Sequence, residues 1–244
     1  VPYLDSGDAR IYYEVHGQGE PVLLVHGGFC SIETMRAQID DLATKREVHA
    51  PERPGHGRTA DDGEPFAYER MADQTIAYMD AAGLVEADVI GFSDGAIIGL
   101  LLARDHPRRV RSLTAISGNL NTSGFVPEQQ MEIAFGEAAL SALFADYDRL
   151  SPDGSERRPD VFRRMGEMWG SQPDIAPESL PAITCPVLVM AADRDAISID
   201  HTVAIRDAIP GARLCIVPGA THMLLGERPE LVSAALHGFL SERP

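Results

Sequence analysis

Cysteine is scarce in this chain: Cys30, Cys185 and Cys215 are an odd number, scattered through apolar segments. That pattern excludes a disulfide framework and fits reduced, buried thiols. No uninterrupted apolar run approaches the roughly 20 residues that span a bilayer. Val1-Pro2-Tyr3-Leu4-Asp5 has no basic region leading into an apolar stretch, so the expectation is a cytoplasmic protein with no membrane partner. Cations are also short: 21 Lys and Arg against 37 Asp and Glu give a formal net charge of -16. Phosphate binding needs clustered cations, and here the arginines are dispersed among carboxylates, which argues against nucleic acid as a partner. A solvated surface that resists aggregation accounts for the acidity. There is no internal repeat, low-complexity tract or long linker.

What is present is an ordinary globular composition, 44% hydrophobic and 24% charged over 244 residues, enough for one large core. Short apolar runs recur at 22–25, 89–92, 113–116, 187–190 and 214–217 without polar alternation, as in strands covered on both faces. Helical periodicity lies between them. Tyr68, Ala72, Ile76 and Met79 share one face, and Leu231, Ala235 and Phe239 another. The alternation predicts an α/β fold with a mainly parallel sheet flanked by helices and joined by right-handed crossovers. Residues 11–15 end at the turn-like His16-Gly17-Gln18-Gly19, so the opening strands are expected to form an antiparallel hairpin at the sheet edge.

Between about 119 and 181 the pattern changes to apolar clusters around Phe135, Leu143, Phe144 and Trp169, separated by proline- and glycine-containing stretches. The expectation is a core of 1–118 and 182–244 with a small helical cap, 119–181, packed on the sheet as a lid. Phe135, Leu143, Phe144, Tyr147, Phe162, Met165, Met168 and Trp169 either line a pocket beneath it or fill its own core.

Gly91-Phe92-Ser93-Asp94-Gly95 matches G-x-S-x-G between an apolar strand and the buried-helix pattern 96–103. The two glycines permit a tight turn that projects the serine at the carboxyl edge of the sheet. Alone, this serine could equally cap the helix. A serine hydroxyl is a weak nucleophile, so it needs an imidazole to take its proton and a carboxylate to hold that imidazole. Asp193 and Asp195 follow strand 187–190, and His222 follows strand 214–217, giving the order Ser, Asp, His. Asp195 is favoured over Asp193 as the acid. The other position at which such folds carry an acid reads Ser117-Gly118-Asn119 and has no carboxylate.

His222 is singled out by position from the remaining histidines. His56, in Arg53-Pro54-Gly55-His56-Gly57-Arg58, belongs more plausibly to a tight turn beside the site. His26-Gly27-Gly28-Phe29 follows strand 22–25, and the backbone N–H groups of Phe29 and Asp94 are assigned as oxyanion donors. A plain tight turn is the alternative there. Cys30 beside this loop has no basic cluster and is read as packing.

With these motifs the chain resembles the α/β-hydrolase family along nearly its whole length. In that family the acid commonly ends a G-x-x-D pattern, which falls on Asp195 although Ala192 replaces the glycine. The elbow is also similar to the G-W-S-D-G-G of valacyclovir-hydrolase-like amino acid esterases, from which Phe92 and Ala96 depart. That resemblance implies an aspartate that meets a substrate ammonium group. A carboxylate stabilising a helix N-terminus explains Asp94 as well.

The expected function is serine hydrolysis of a small or medium carboxylic ester, lactone or thioester through an acyl-serine intermediate. Ser93, Asp195 and His222 are catalytic, Asp94 and Trp169 contact substrate, and no metal or organic cofactor is called for. The alternatives are carbon–carbon bond hydrolysis or cofactor-free perhydrolysis with the same triad, and a non-catalytic small-molecule-binding protein.

Overall fold

Strands β3 (Pro21–Val25), β5 (Ala87–Phe92) and β6 (Val110–Ile116) are almost wholly buried because helices cover both faces of the sheet they share. Alternation along each strand divides their side chains between two cores. Leu23, Val25, Val89 and Leu113 join the one that includes Tyr68, Tyr78 and Leu101. Val22, Leu24, Ile90 and Ile116 join the one that includes Ile39, Leu236 and Phe239. Truncating any of these fully buried leucines or isoleucines to alanine would cost about 2–5 kcal/mol.

The computed structural model describes residues 2–7, 9–135 and 137–242. The remaining strands are β1 (Tyr3–Ser6), β2 (Ala9–His16), β4 (Glu47–Pro51), β7 (Val187–Arg194) and β8 (Arg213–Thr221). Their order in the sheet is β1-β2-β4-β3-β5-β6-β7-β8. From β4 to β8 neighbours run parallel, while β1/β2 and β2/β4 are antiparallel. The edge hairpin is therefore present, but its strands are β1 and β2. The turn 16–19 instead carries β2 past β4, which occupies the place between β2 and β3.

Flanking helices are α1 (Arg36–Leu42), α2 (Tyr68–Ala81), α3 (Asp94–Asp105), α7 (Ile199–Ala208), α8 (Leu224–Glu227) and α9 (Pro229–Ser241), with α4 (Glu128–Phe135), α5 (Glu137–Leu150) and α6 (Arg158–Trp169) between β6 and β7. The buried face of α9 is one residue out of the expected phase: Val232, Leu236, Phe239 and Leu240 pack inward and Leu231 is exposed. The larger apolar set at i, i+4, i+7, i+8 wins the core side. Of the thiols, Cys30 alone is buried; Cys185 and Cys215 are half-buried, and all three are free. Among the described residues no helix is long and apolar enough to cross a membrane.

Side chains of α4, α5 and α6 share one cavity lining with residues of the loops that follow β3, β5, β6 and β8. Arg164 of α6 donates to Asp61 on the loop after β4 and to the Glu64 carbonyl at 2.9 Å, and its guanidinium lies 5.0 Å from the Phe66 ring centroid. Arg157 adds a second contact to Asp61. The helical segment is thereby tied to the loop after β4 at a buried carboxylate.

Candidate active site

The turn from β5 into α3 is built around close backbone approach. A Cβ on Gly91 would stand 2.0 Å from the Gly95 carbonyl oxygen, and one on Gly95 would stand 1.9 Å from that of Val25. Only glycine fits either place. Ser93 between them takes φ 53°, ψ -118°, a conformation costly for a residue with a side chain. Its N–H donates to the Ile116 carbonyl at 2.8 Å and its carbonyl accepts from Ala96 N–H at 2.8 Å, which hold the turn.

The hydroxyl so presented meets His222. Ser93 Oγ lies 3.0 Å from His222 Nε2, and His222 Nδ1 lies 2.7 Å from Asp195 Oδ1. An ionised carboxylate only accepts, so Nδ1 carries the proton and Nε2 is left to accept from the serine. Asp195 Oδ2 accepts from the Ser117 hydroxyl at 2.5 Å and Ala192 N–H at 3.0 Å, and Oδ1 also accepts from Ile197 N–H at 3.2 Å. Burial pushes the Asp195 carboxyl up, but His222 and these donors outweigh it and hold the group below its ordinary value. Two phenyl rings pack against the imidazole: Phe92 and Phe135 ring centroids stand 5.2 and 4.7 Å from its own. Its backbone N–H donates to the Ala134 carbonyl at the end of α4 at 2.9 Å.

Asp193 does not join this line; it is exposed and accepts from Ala220 N–H at 3.1 Å. His26 and His56 are fully buried, and burial holds both well below the usual imidazole range, hence neutral. Their rings stand 4.9 Å apart, His26 on the loop after β3 and His56 on the loop after β4. Burial likewise pushes the Cys30 thiol up to about 12, as expected of a packing residue.

Phe29 sits at φ 55° in the loop after β3, its ring stacked on Tyr147 at 5.0 Å and edge-on to Phe144 and Phe162. Among the described residues its N–H donates to no backbone carbonyl. Asp94 N–H, first in α3, has no intrahelical acceptor either. The Asp94 carboxylate is buried; Oδ1 accepts from Tyr68 Oη at 2.9 Å, and Trp169 Nε1 lies 3.1 Å from both oxygens. Burial raises its pKa against the opposing pull of Arg53.

Ser93, Asp94 and His222 open on a cavity of about 720 Å³ whose lining also includes Met131, Phe135, Leu143, Phe162 and Trp169. Phe144 packs against the core instead, and Tyr147, Met165 and Met168 are buried in it. Neither Lys nor Arg is among the described lining residues. The sequence placed Ser117 where an acid is lacking and Tyr68 on a helix face, and gave neither a role in the site. A serine directly after a strand of the parallel sheet was the available signal for the first.

The model of the alpha/beta hydrolase family matches residues 22–235. A putative carbamate hydrolase RutD of Azorhizobium caulinodans is 31% identical over 262 residues, spanning 99% of each chain. Among solved structures, a serine hydrolase involved in carbazole degradation superposes with a TM-score of 0.81 at 21% identity, covering 99% of this chain and 98% of that one. The enol-lactonase from Burkholderia xenovorans LB400 gives 0.76 at 20%, covering 99% and 100%. At those identities the two structures speak for the fold alone. The chain belongs to the α/β-hydrolase family, and it is an enzyme of that family.

Proposed function

We propose that the chain is a serine hydrolase that cleaves a small or medium carboxylic ester, lactone or thioester through an acyl-Ser93 intermediate. The observation that carries this reading is the continuous line Ser93 Oγ, His222 Nε2, His222 Nδ1, Asp195 Oδ1 opening on an apolar cavity. Ser93 Oγ attacks the carbonyl carbon while Nε2 takes its proton. The oxygen of the tetrahedral adduct is held by the N–H groups of Phe29 and Asp94, and the leaving alcohol departs with the proton from Nε2. Water then repeats the sequence and frees the acid. Asp94 and Trp169 form the wall against the bound acyl group. The same triad serves carbon–carbon hydrolysis and perhydrolysis on this fold.

The test is titration with an organophosphate, expected to label Ser93 at one equivalent, followed by a substrate panel. The panel varies acyl length, acyl charge and alcohol, with lactones, a carbamate ester and vinylogous diketones as further arms. Uncharged acyl esters are expected to lead. An anionic acyl group would leave water for an apolar wall that offers it no cation among the described lining residues, and its kcat/KM should fall on the order of 10-fold or more. Asp94 already has two donors, so an aminoacyl ester and its uncharged isostere should agree within about threefold. A tenfold advantage for the ammonium would mean that Asp94 reads it directly. Vinylogous diketones outpacing every ester would replace the ester reading with carbon–carbon hydrolysis.

Ser117 supplies a prediction of its own. Its hydroxyl is one of three non-histidine donors to Asp195, so Ser117→Ala leaves the carboxylate satisfied but less firmly aimed. A hydrogen bond to a charged group contributes about 1.5–3 kcal/mol, and the remaining donors absorb part of that. Turnover of a p-nitrophenyl ester is expected to drop about 10-fold with KM little changed. An unchanged kcat would show that Asp195 is held without it.

A further inference from the structure

The loop after β4 buries a positive charge that the triad does not use. Arg53 is only 4% exposed, and both terminal nitrogens of its guanidinium donate to backbone, Nη1 to the His26 carbonyl at 2.6 Å and Nη2 to that of Gly27 at 3.0 Å, while Nε has no partner among the described residues. His26 completes the grip. Its Nδ1 lies 2.8 Å from the Gly27 carbonyl oxygen and its Nε2 accepts from Arg53 N–H at 3.1 Å. The strand-to-loop segment that delivers Phe29 N–H is thus clamped at two consecutive carbonyls by one planar fork, a geometry that lysine cannot reproduce. Burial draws Arg53 down to about 10, which leaves it cationic at neutral pH.

On the other side of the same loop stands Asp94. A Cβ on Gly28 would lie 2.3 Å from Asp94 Oδ2, so the carboxylate packs directly on the oxyanion loop. Such a charge opposes growth of a second negative charge on the substrate oxygen held by its own N–H. Among the described groups the carboxylate acting most strongly on Arg53 is Asp94, and the cation acting most strongly on Asp94 is Arg53, with the two glycines of the loop near them.

We propose that Arg53 is a positioning residue for the hydrolysis: it fixes the oxyanion loop through the His26 and Gly27 carbonyls and offsets the charge of Asp94 across that loop. The proposal rests on the acyl-Ser93 reading. Arg53→Met, assayed on an uncharged p-nitrophenyl ester, is expected to lower kcat about 100-fold with KM within about threefold, because the loss falls on the oxyanion rather than on the ground state. Adding Asp94→Asn removes the uncompensated charge and is expected to restore about 10-fold, a rescue that a purely structural role does not predict. Arg53→Lys keeps the charge and loses the fork, so kcat falls about 10-fold and Asp94→Asn brings no recovery.

A kcat for Arg53→Met within about threefold of wild type, or no recovery in the double variant, overturns the proposal. Should Arg53→Met lack the wild-type circular dichroism spectrum, the lysine variant decides: a loss of about 10-fold upholds the proposal and a loss under threefold overturns it. Organophosphate labelling separates the two levels. An unlabelled wild-type Ser93 brings down the acyl-serine reading and this proposal with it. A labelled Ser93 with an indifferent Arg53 brings down this proposal alone.

Discussion

Ser93→Ala is expected to reduce kcat on an activated ester by about a million-fold, roughly 8 kcal/mol of transition-state stabilisation, with the protein still folded. Among the described residues the hydroxyl has one side-chain partner, His222, so its removal orphans an imidazole nitrogen at the cavity and little else. Thermal stability should therefore stay within about 1 kcal/mol of wild type. His222→Ala should be nearly as damaging, and the double variant scarcely worse than either, because nucleophile and base act as one unit. What survives is the contribution of substrate binding and the oxyanion donors. Steady-state and burst kinetics on purified variants check this, and a Ser93→Ala protein that keeps even a hundredth of wild-type turnover would falsify the acyl-serine mechanism.

The parts of the fold that were legible are those where one local rule acts alone. Each apolar run became a strand; those of β3, β5 and β6 are buried on both faces and leave no polar alternation to confuse the pattern, whereas 214–217, read the same way, lies on the edge strand β8 and is mostly half-buried. The nucleophile turn was legible because Gly91 and Gly95 are required by backbone contacts that the motif itself encodes. Strand ends were read short. β7 runs on through Asp193 and Arg194, and β8 through Gly219 and Thr221, where Arg194 pairs with Thr221 beyond an irregularity. Polar residues at a carboxyl edge give no apolar signal, although the ladder continues through them.

The site was legible as far as chain order reaches. Ser93, Asp195 and His222 each follow a strand of one parallel sheet, so the topology alone carries them to one rim. Arg53, Ser117 and Tyr68 are different. Arg53 grips carbonyls 26 and 27 residues away, Ser117 reaches a carboxylate 78 away, and Tyr68 one 26 away. No spacing rule announces such contacts. They arise from which loops the sheet order sets side by side, and β3 and β4 are neighbours there only because β2 turns back on the far side of β4.

Asp195→Asn carries the second large effect, and it separates the two aspartates that the sequence left in competition. Every position around the Asp195 carboxylate is a donor: His222 Nδ1 and Ile197 N–H at Oδ1, Ser117 and Ala192 N–H at Oδ2. An amide must put its NH2 at one of these ends. At the Oδ2 end it confronts the Ala192 N–H, whose donor direction is fixed by the backbone. At the Oδ1 end it confronts Ile197 N–H and obliges His222 Nδ1 to become an acceptor, which leaves the ring proton on Nε2, facing Ser93. The base is then in the wrong tautomer, and kcat should fall about 10⁴-fold at neutral pH with KM nearly constant. Asp193→Asn loses only part of an exposed contact to Ala220 N–H and should remain within about threefold of wild type. Acid is a poor mimic of Asp195→Asn, because the Asp195 carboxyl is held below its ordinary value. The stability this group contributes is present above the unfolded carboxylate value and is lost only as pH falls through the lower, folded one. Measured side by side, equal losses in the two asparagine variants would remove Asp195 from the mechanism, and a large loss confined to Asp193→Asn would transfer its role to the neighbour.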